Sequence, residues 1–325
     1  MPKLKDTDFL YLSGMVRERE NRLISPAQLD RIIRAETDAD AAKILEENGW
    51  GQIDASDALT LDRAISARVA AILKELAASS PEPRMIDAFR IKYDYHNAKV
   101  LIKSERVDID GDHLMSDGGR VPRAVFEDRY YEGLPDGVPP TLGNATLAAR
   151  EILQRTGDAQ AVDLLLDRAM YQEYLDIAQE LKDDFFTGYV RLSIDAVNLR
   201  TAVRAVRMGM EPDALIDAFI PGGNMQPVKI VTNANLQSLY KGTLLERAAG
   251  LARETMAGGA PAPFERETDN ALTAYLKKAS FVSFGIAPII SYMAALESEA
   301  MAVRIVMASR SAGLSPEEIR ERLRD

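Results

Sequence analysis

The chain of 325 residues has no cysteine, one tryptophan (Trp50) and two histidines, His96 and His113. Without thiols there are no disulfides, thiolate nucleophiles or cysteine-ligated zinc, and a reducing, intracellular compartment fits. The histidines stand in no H-x-x-x-H or H-E-x-x-H arrangement, which argues against a His-based metal site. Asp108, Asp110 and Asp112 have the spacing of a calcium loop, but the twelfth position holds Gly119 where a bidentate Glu is needed, so the segment reads as a turn. Gly118-Gly119 and Gly222-Gly223 lack the context of a nucleotide loop, and no nucleophile elbow is present. Nothing points to a catalytic residue, a metal, a cofactor or a small-molecule substrate.

Long apolar runs are also missing. The most apolar stretch, Phe281–Leu296, is short for a bilayer crossing and is broken by Ser283, Pro288 and Ser291, so a buried core helix is expected there. The start, Met1 to Asp8, meets charge before any apolar run, unlike a cleavable signal. Positive charge is in the minority, 40 Lys+Arg against 50 Asp+Glu, a net charge of -10. Phosphates of nucleic acid and anionic lipid would both be repelled overall.

What the chain does have is helical spacing. From Leu61 to Leu76 the apolar positions Leu61, Ile65, Val69, Ile72, Leu73 and Leu76 recur at three and four. Similar runs predict helices at about 26–35, 39–48, 84–104, 145–155, 160–182, 184–208, 212–219, 235–256, 268–279, 285–310 and 316–324. No alternating run argues for a sheet, so the fold class is all-α. Ser25-Pro26-Ala27-Gln28 and Ser315-Pro316-Glu317-Glu318 each read as a capping box with Pro at the first helical position. Gly, Pro and Asp mark loops at 108–123, 131–143, 221–228 and 257–263.

One helical pattern recurs. Asp94, Asn97 and Lys99 are matched by Asp195, Asn198 and Arg200, and again by Glu299, Ala302 and Arg304. The acids are 101 and then 104 positions apart, which implies about three similar units, taken as lobes at 1–107, 108–210 and 211–325. A fainter copy near Glu18, Asn21 and Ile24-Ser25-Pro26 leaves the phase of the repeat open. Asp94 and Asn97, like Asp195 and Asn198, share a helix face among apolar neighbours. A carboxylate repeated three times reads as a structural hydrogen-bonding group rather than an acid/base catalyst. The bases lie five residues beyond the acids, about 500° around the helix, so they do not pair with their own acid. A solvated face is the plain expectation for Lys99, Arg200 and Arg304, and contact with a partner shaft the sharper one.

These segments resemble the C/AC39 family of A/V-type ATPase subunits, which includes the eukaryotic d-type subunits. The resemblance rests on Phe89-Arg90-Ile91-Lys92-Tyr93-Asp94-Tyr95-His96-Asn97, on Asp195-Ala196-Val197-Asn198-Leu199-Arg200, on Tyr292 with Glu297, Glu299 and Arg304, and on the closing Gly313-Leu314-Ser315-Pro316. Ala302 departs from the family pattern, and 108–143 matches nothing in it. The resemblance implies a funnel of three helical lobes about a pseudo-threefold axis. It implies a non-catalytic central-stalk rotor component on the cytoplasmic face of a membrane. Its partners would be the D- and F-type shaft subunits and the proteolipid c/K ring, in ATP-linked H+ or Na+ transport, with no nucleic acid and no membrane span of its own. A helical-repeat adaptor of another complex, or an all-α enzyme using Asp94 or Asp195, are the alternatives.

Overall fold

The computed structural model describes residues 4–51, 58–133, 136–209, 216, 218–232 and 235–323. Among them every regular element is helical. In chain order these are α1 (Leu10–Glu20), α2 (Pro26–Ile33), α3 (Asp38–Leu45), α4 (Ala58–Ser79), α5 (Pro83–Val107), α6 (Arg123–Glu132), α7 (Pro140–Thr156) and α8 (Ala159–Leu181). Then follow α9 (Asp184–Arg207), α10 (Pro227–Thr232), α11 (Leu236–Leu239), α12 (Glu246–Met256), α13 (Ala262–Leu276), α14 (Ile286–Ser311) and α15 (Pro316–Arg322). The chain forms two compact units, one from Met1–Ile86 with Leu276–Asp325 and one from Asp87–Tyr275.

In the first unit both chain ends meet. α14 packs against α1, α2, α3, α4 and α15. Its Ile289, Ile290, Met293, Leu296, Val303 and Val306 are buried along several faces, as a central helix requires. By length and composition α14 can cross a membrane, but here those side chains are spent on its neighbours. Both expected capping boxes form, Ser25 with Gln28 and Ser315 with Glu318. Polar ties then lock the ends together. Arg310 in the last turn of α14 donates to the carbonyls of Ile32 (3.2 Å) and Ile33 (2.8 Å), supplying partners that the end of α2 lacks. Arg17 on α1 holds the carbonyls of Ala279 (2.9 Å) and Val282 (2.6 Å).

Among the described residues the second unit has three apolar clusters, the smallest formed by Ala202, Ala205, Phe219 and Ile230. One joins α5 to α6, α7 and α8 around Tyr95, Leu101, Phe126, Leu142 and Leu166. Another joins α9 to α12 and α13 around Leu199, Val203, Tyr240, Ala249 and Phe264. Asp158 and Asp183 start α8 and α9 by accepting from backbone N–H groups one turn in.

Several sequence expectations need correction. The stretch 281–296 is not one core helix: α14 starts at Ile286, and Phe281 is 92% exposed. The run 235–256 is broken by a turn at Tyr240–Leu245, where the Thr243 N–H donates to the Tyr240 carbonyl. α1 and α6 were not legible, because α1 buries only Leu12, Ser13 and Val16 and α6 only Phe126 and Tyr130, too few to show a period. The expected helix at 212–219 falls mostly outside the described residues.

Glu105 on α5 ties together α6 and α7. It accepts from Arg150 Nε (2.8 Å) and from the Tyr130 hydroxyl, while the Arg150 guanidinium lies over the Tyr130 ring at 4.6 Å. The Arg150 hydrogen bond, opposed by burial and helped by Tyr130, holds the Glu105 carboxyl below its ordinary pKa. A depressed carboxyl contributes stability above its unfolded pKa and loses it as pH falls through the folded one. Glu105→Gln is therefore expected to lower the urea midpoint at pH 7, with the difference from wild type fading as acid protonates Glu105. Urea titrations at several pH values check this.

Candidate functional site

The repeated acids and amides are each built into a clasp between a long helix and the segment lying across it. On α5, the Asn97 side chain accepts from the Ser116 N–H (2.8 Å) and donates to the Ser116 carbonyl (2.9 Å). Asp94, one turn earlier, accepts from Val121 N (3.2 Å) and Arg120 Nε (2.6 Å). On α9 the pattern returns. Asn198 accepts from Ile220 N and donates to Ile220 O, both at 2.8 Å. Asp195 accepts from Met225 N (2.9 Å), Asn224 N (3.1 Å) and Asn224 Nδ2 (2.9 Å). All four side chains are buried. An amide side chain that both gives and receives satisfies the backbone N–H and the C=O of one residue, and this is why Asn rather than Asp stands there.

The third copy closes differently. Glu299 on α14 accepts from the N–H of Ile24 (2.7 Å), a residue 275 positions away. Its second oxygen has no hydrogen bond and lies 3.9 Å from Arg68 Nη2. Arg68 also donates to the Gly49 carbonyl (2.6 Å) and stacks over Trp50 at 4.6 Å. Ala302 has no side-chain amide to offer. Leu23, the residue before Ile24, holds the place of Arg120 and Asn224 and can donate nothing from its side chain. An arginine on α4 stands beside this carboxylate instead.

Burial raises the pKa of all three acids. In Asp94 it outweighs the Arg120 charge and hydrogen bond. In Asp195 it outweighs the donors from Met225 and Asn224. In Glu299 it outweighs the Ile24 N–H and the Arg68 charge. Arg120 also bonds Glu173 on α8, so the first copy holds a buried triad of alternating charge. Each of these carboxylates holds a crossing segment through at least one backbone N–H.

The bases find partners on adjacent helices, in place of the expected solvated face. Lys99 pairs with Asp167 on α8 (2.7 Å), Arg200 with Glu265 (2.6 Å) and Asp269 on α13, and Arg304 with Asp62 on α4. Each base therefore links the clasp helix to the helix beside it. Sequence reasoning missed these acids because their separations, from 65 to 242 positions, carry no local pattern. It also passed over the Gly-Gly pairs. A Cβ on Gly119 would stand 2.3 Å from Asp94 Oδ1, and one on Gly223 would stand 2.3 Å from Asp195 Oδ1, so each glycine lets the segment lie against its acid. The signal was their 104-residue spacing, close to the 101 between Asp94 and Asp195. His96 bonds the Leu114 carbonyl (2.9 Å), and Asp112 in the aspartate loop pairs with Arg123. Among the described residues no group of three His, Asp or Glu is placed to hold a metal.

The site offers three buried, repeated carboxylates and ion pairs between helices, and proteins similar to the chain are named as subunits of ATPases and ATP synthases. Similar proteins include the C subunit of the V-type sodium ATPase of Enterococcus hirae (21% identical, 98% of each chain) and the C subunit of the V-type ATP synthase of Thermus thermophilus (24%, 97% of this chain and 98% of the relative). The C subunit of the A-type ATP synthase of Haloferax volcanii is 24% identical over 96% of each chain. The profile of the ATP synthase (C/AC39) subunit family matches residues 12–322, and the chain belongs to that family of rotary-ATPase subunits.

Removing a clasp amide strands a buried N–H and a buried carbonyl. Asn198→Ala is expected to cost about 2–4 kcal/mol, and Asn97→Ala a similar amount. Gly223→Ala should also destabilise, by pushing the segment off Asp195. Ala302→Asn disrupts no existing clasp and should leave the unfolding free energy within about 0.5 kcal/mol of wild type. Equilibrium urea unfolding reads all four.

Proposed function

We propose that this chain is a non-catalytic central-stalk component of a V/A-type rotary ATPase, joining the soluble shaft to the membrane proteolipid ring. The observation that carries the reading is the family match along almost the whole chain, with relatives of the same length named as C subunits of such machines. The clasps support it. Each repeated acid accepts at least one backbone N–H from a crossing segment, which suits a part that transmits force and makes no bonds. In this reading the clasp helices α5, α9 and α14 each organise one lobe. The three lobes surround a pseudo-threefold axis, the shaft subunits of D and F type enter the hollow, and the c/K ring meets the closed end. The protein then lies on the cytoplasmic face of the membrane and serves ATP-linked H+ or Na+ transport. Lys99, Arg200 and Arg304 are partly exposed beside their acids and remain the candidate contacts to the shaft.

The test is an affinity purification of the tagged chain from its native membranes in mild detergent, with partners identified by mass spectrometry. Recovery of the shaft subunits together with the proteolipid is expected. Recovery of neither, from membranes shown to contain the intact ATPase, would contradict the assignment.

A further inference from the structure

The segment Arg106–Glu132 in the second unit presents apolar side chains to solvent that its own core does not need. Val107 is 61% exposed, Ile109 57%, Leu114 49% and Tyr131 59%, and Val125 on α6 is also exposed. The turn and α6 that carry them lie side by side. Arg123 at the start of α6 bonds the Asp112 carbonyl (3.2 Å), bringing the 108–114 turn against α6. The Tyr130 hydroxyl donates to Glu105 in the last turns of α5, and Tyr131 meets the Tyr130 ring edge-on at 5.2 Å, so the end of α5 that leads into the turn lies against the last turn of α6. An exposed apolar group of this size on a folded unit marks a contact site.

Charge decides the occupant. The same segment carries seven acids (Asp108, Asp110, Asp112, Asp117, Glu127, Asp128 and Glu132) against four arginines. Arg120 is committed to Asp94 and Glu173, Arg123 to Asp112, and Arg129 to Glu132, which leaves Arg106 to face the remaining acids. Acids interspersed among exposed apolar side chains repel an anionic lipid surface and a second copy of this acidic chain alike. It fits a protein segment with apolar side chains flanked by Lys or Arg.

We propose that the surface formed by the 107–114 turn and the outer face of α6 docks a cationic amphipathic segment of a neighbouring protein in the assembly. The inference stands on this surface alone and does not depend on whether that neighbour belongs to the shaft or the ring.

A photoreactive amino acid placed at Ile109, and separately at Tyr131, in the full chain tests it. Cross-linking is done in intact cells before lysis, and the captured peptides are sequenced. Both positions are expected to capture the same protein segment, one with Lys or Arg on either side of apolar residues. Adding Glu127→Lys and Asp128→Lys should cut the yield about tenfold or more, with the thermal melt of the purified chain unchanged. No capture at either position, capture of lipid, capture of a second copy of the chain, capture of an acidic segment, or a yield indifferent to the charge reversal would each overturn the proposal. Capture of a basic segment from a protein outside the ATPase would support this docking surface while counting against the stalk assignment.

Discussion

A carboxylate removed from water has to be given donors or a countercharge, or it takes up a proton and loses its hold on the groups around it. Three of the buried carboxylates meet that demand at the repeated positions, and much of the architecture around them follows from how they do so. Asp94 and Asp195 sit on the middle turns of long helices and gather backbone N–H groups from the segment that comes next in the chain. To gather them, that segment must lie flat against the helix, and only glycine at 119 and 223 lets it come close enough. The following helix, α6 or α10, then has its starting point fixed. Asn97 and Asn198 hold the other end of the crossing segment, each by satisfying the backbone N–H and the C=O of one residue.

In the third copy the same demand joins the two ends of the chain. The donor to Glu299 is Ile24, so the N-terminal segment does for α14 what the next loop does for α5 and α9. The longer Glu side chain, the leucine at 23 and the alanine at 302 leave this latch with fewer bonds, and Arg68 with Trp50 stands in as cover. Around it, Arg310, Arg320 and Arg17 add ties between the chain ends that the other copies obtain from covalent connection. A unit closed by both termini explains why the faint repeat near Ile24-Ser25-Pro26 disturbed the phase read from sequence.

The parts that were legible are those written in local pattern. Helical spacing gave α4, α5, α8 and α9, the two capping boxes gave the starts of α2 and α15, and the acid–Asn–base spacing pointed to the residues that form the clasps. What escaped was written in distance. The Lys99–Asp167 and Arg304–Asp62 pairs, the Arg120–Glu173 link and the Ile24–Glu299 latch depend on tertiary proximity. The apolar exposure of Phe281 escaped for a related reason: an apolar run tells that residues are greasy, and only the neighbours decide which of them are covered.

The stalk role proposed above asks these latched helices to carry torque between two partners. The most direct measurement of that role compares ATP hydrolysis with ATP-driven ion uptake in native vesicles, with the chain deleted and then restored. The account expects the soluble sector to keep hydrolysing ATP without the chain, ion uptake to vanish, and uptake to return when the chain is supplied. Ion uptake that stays coupled to hydrolysis in its absence would contradict it.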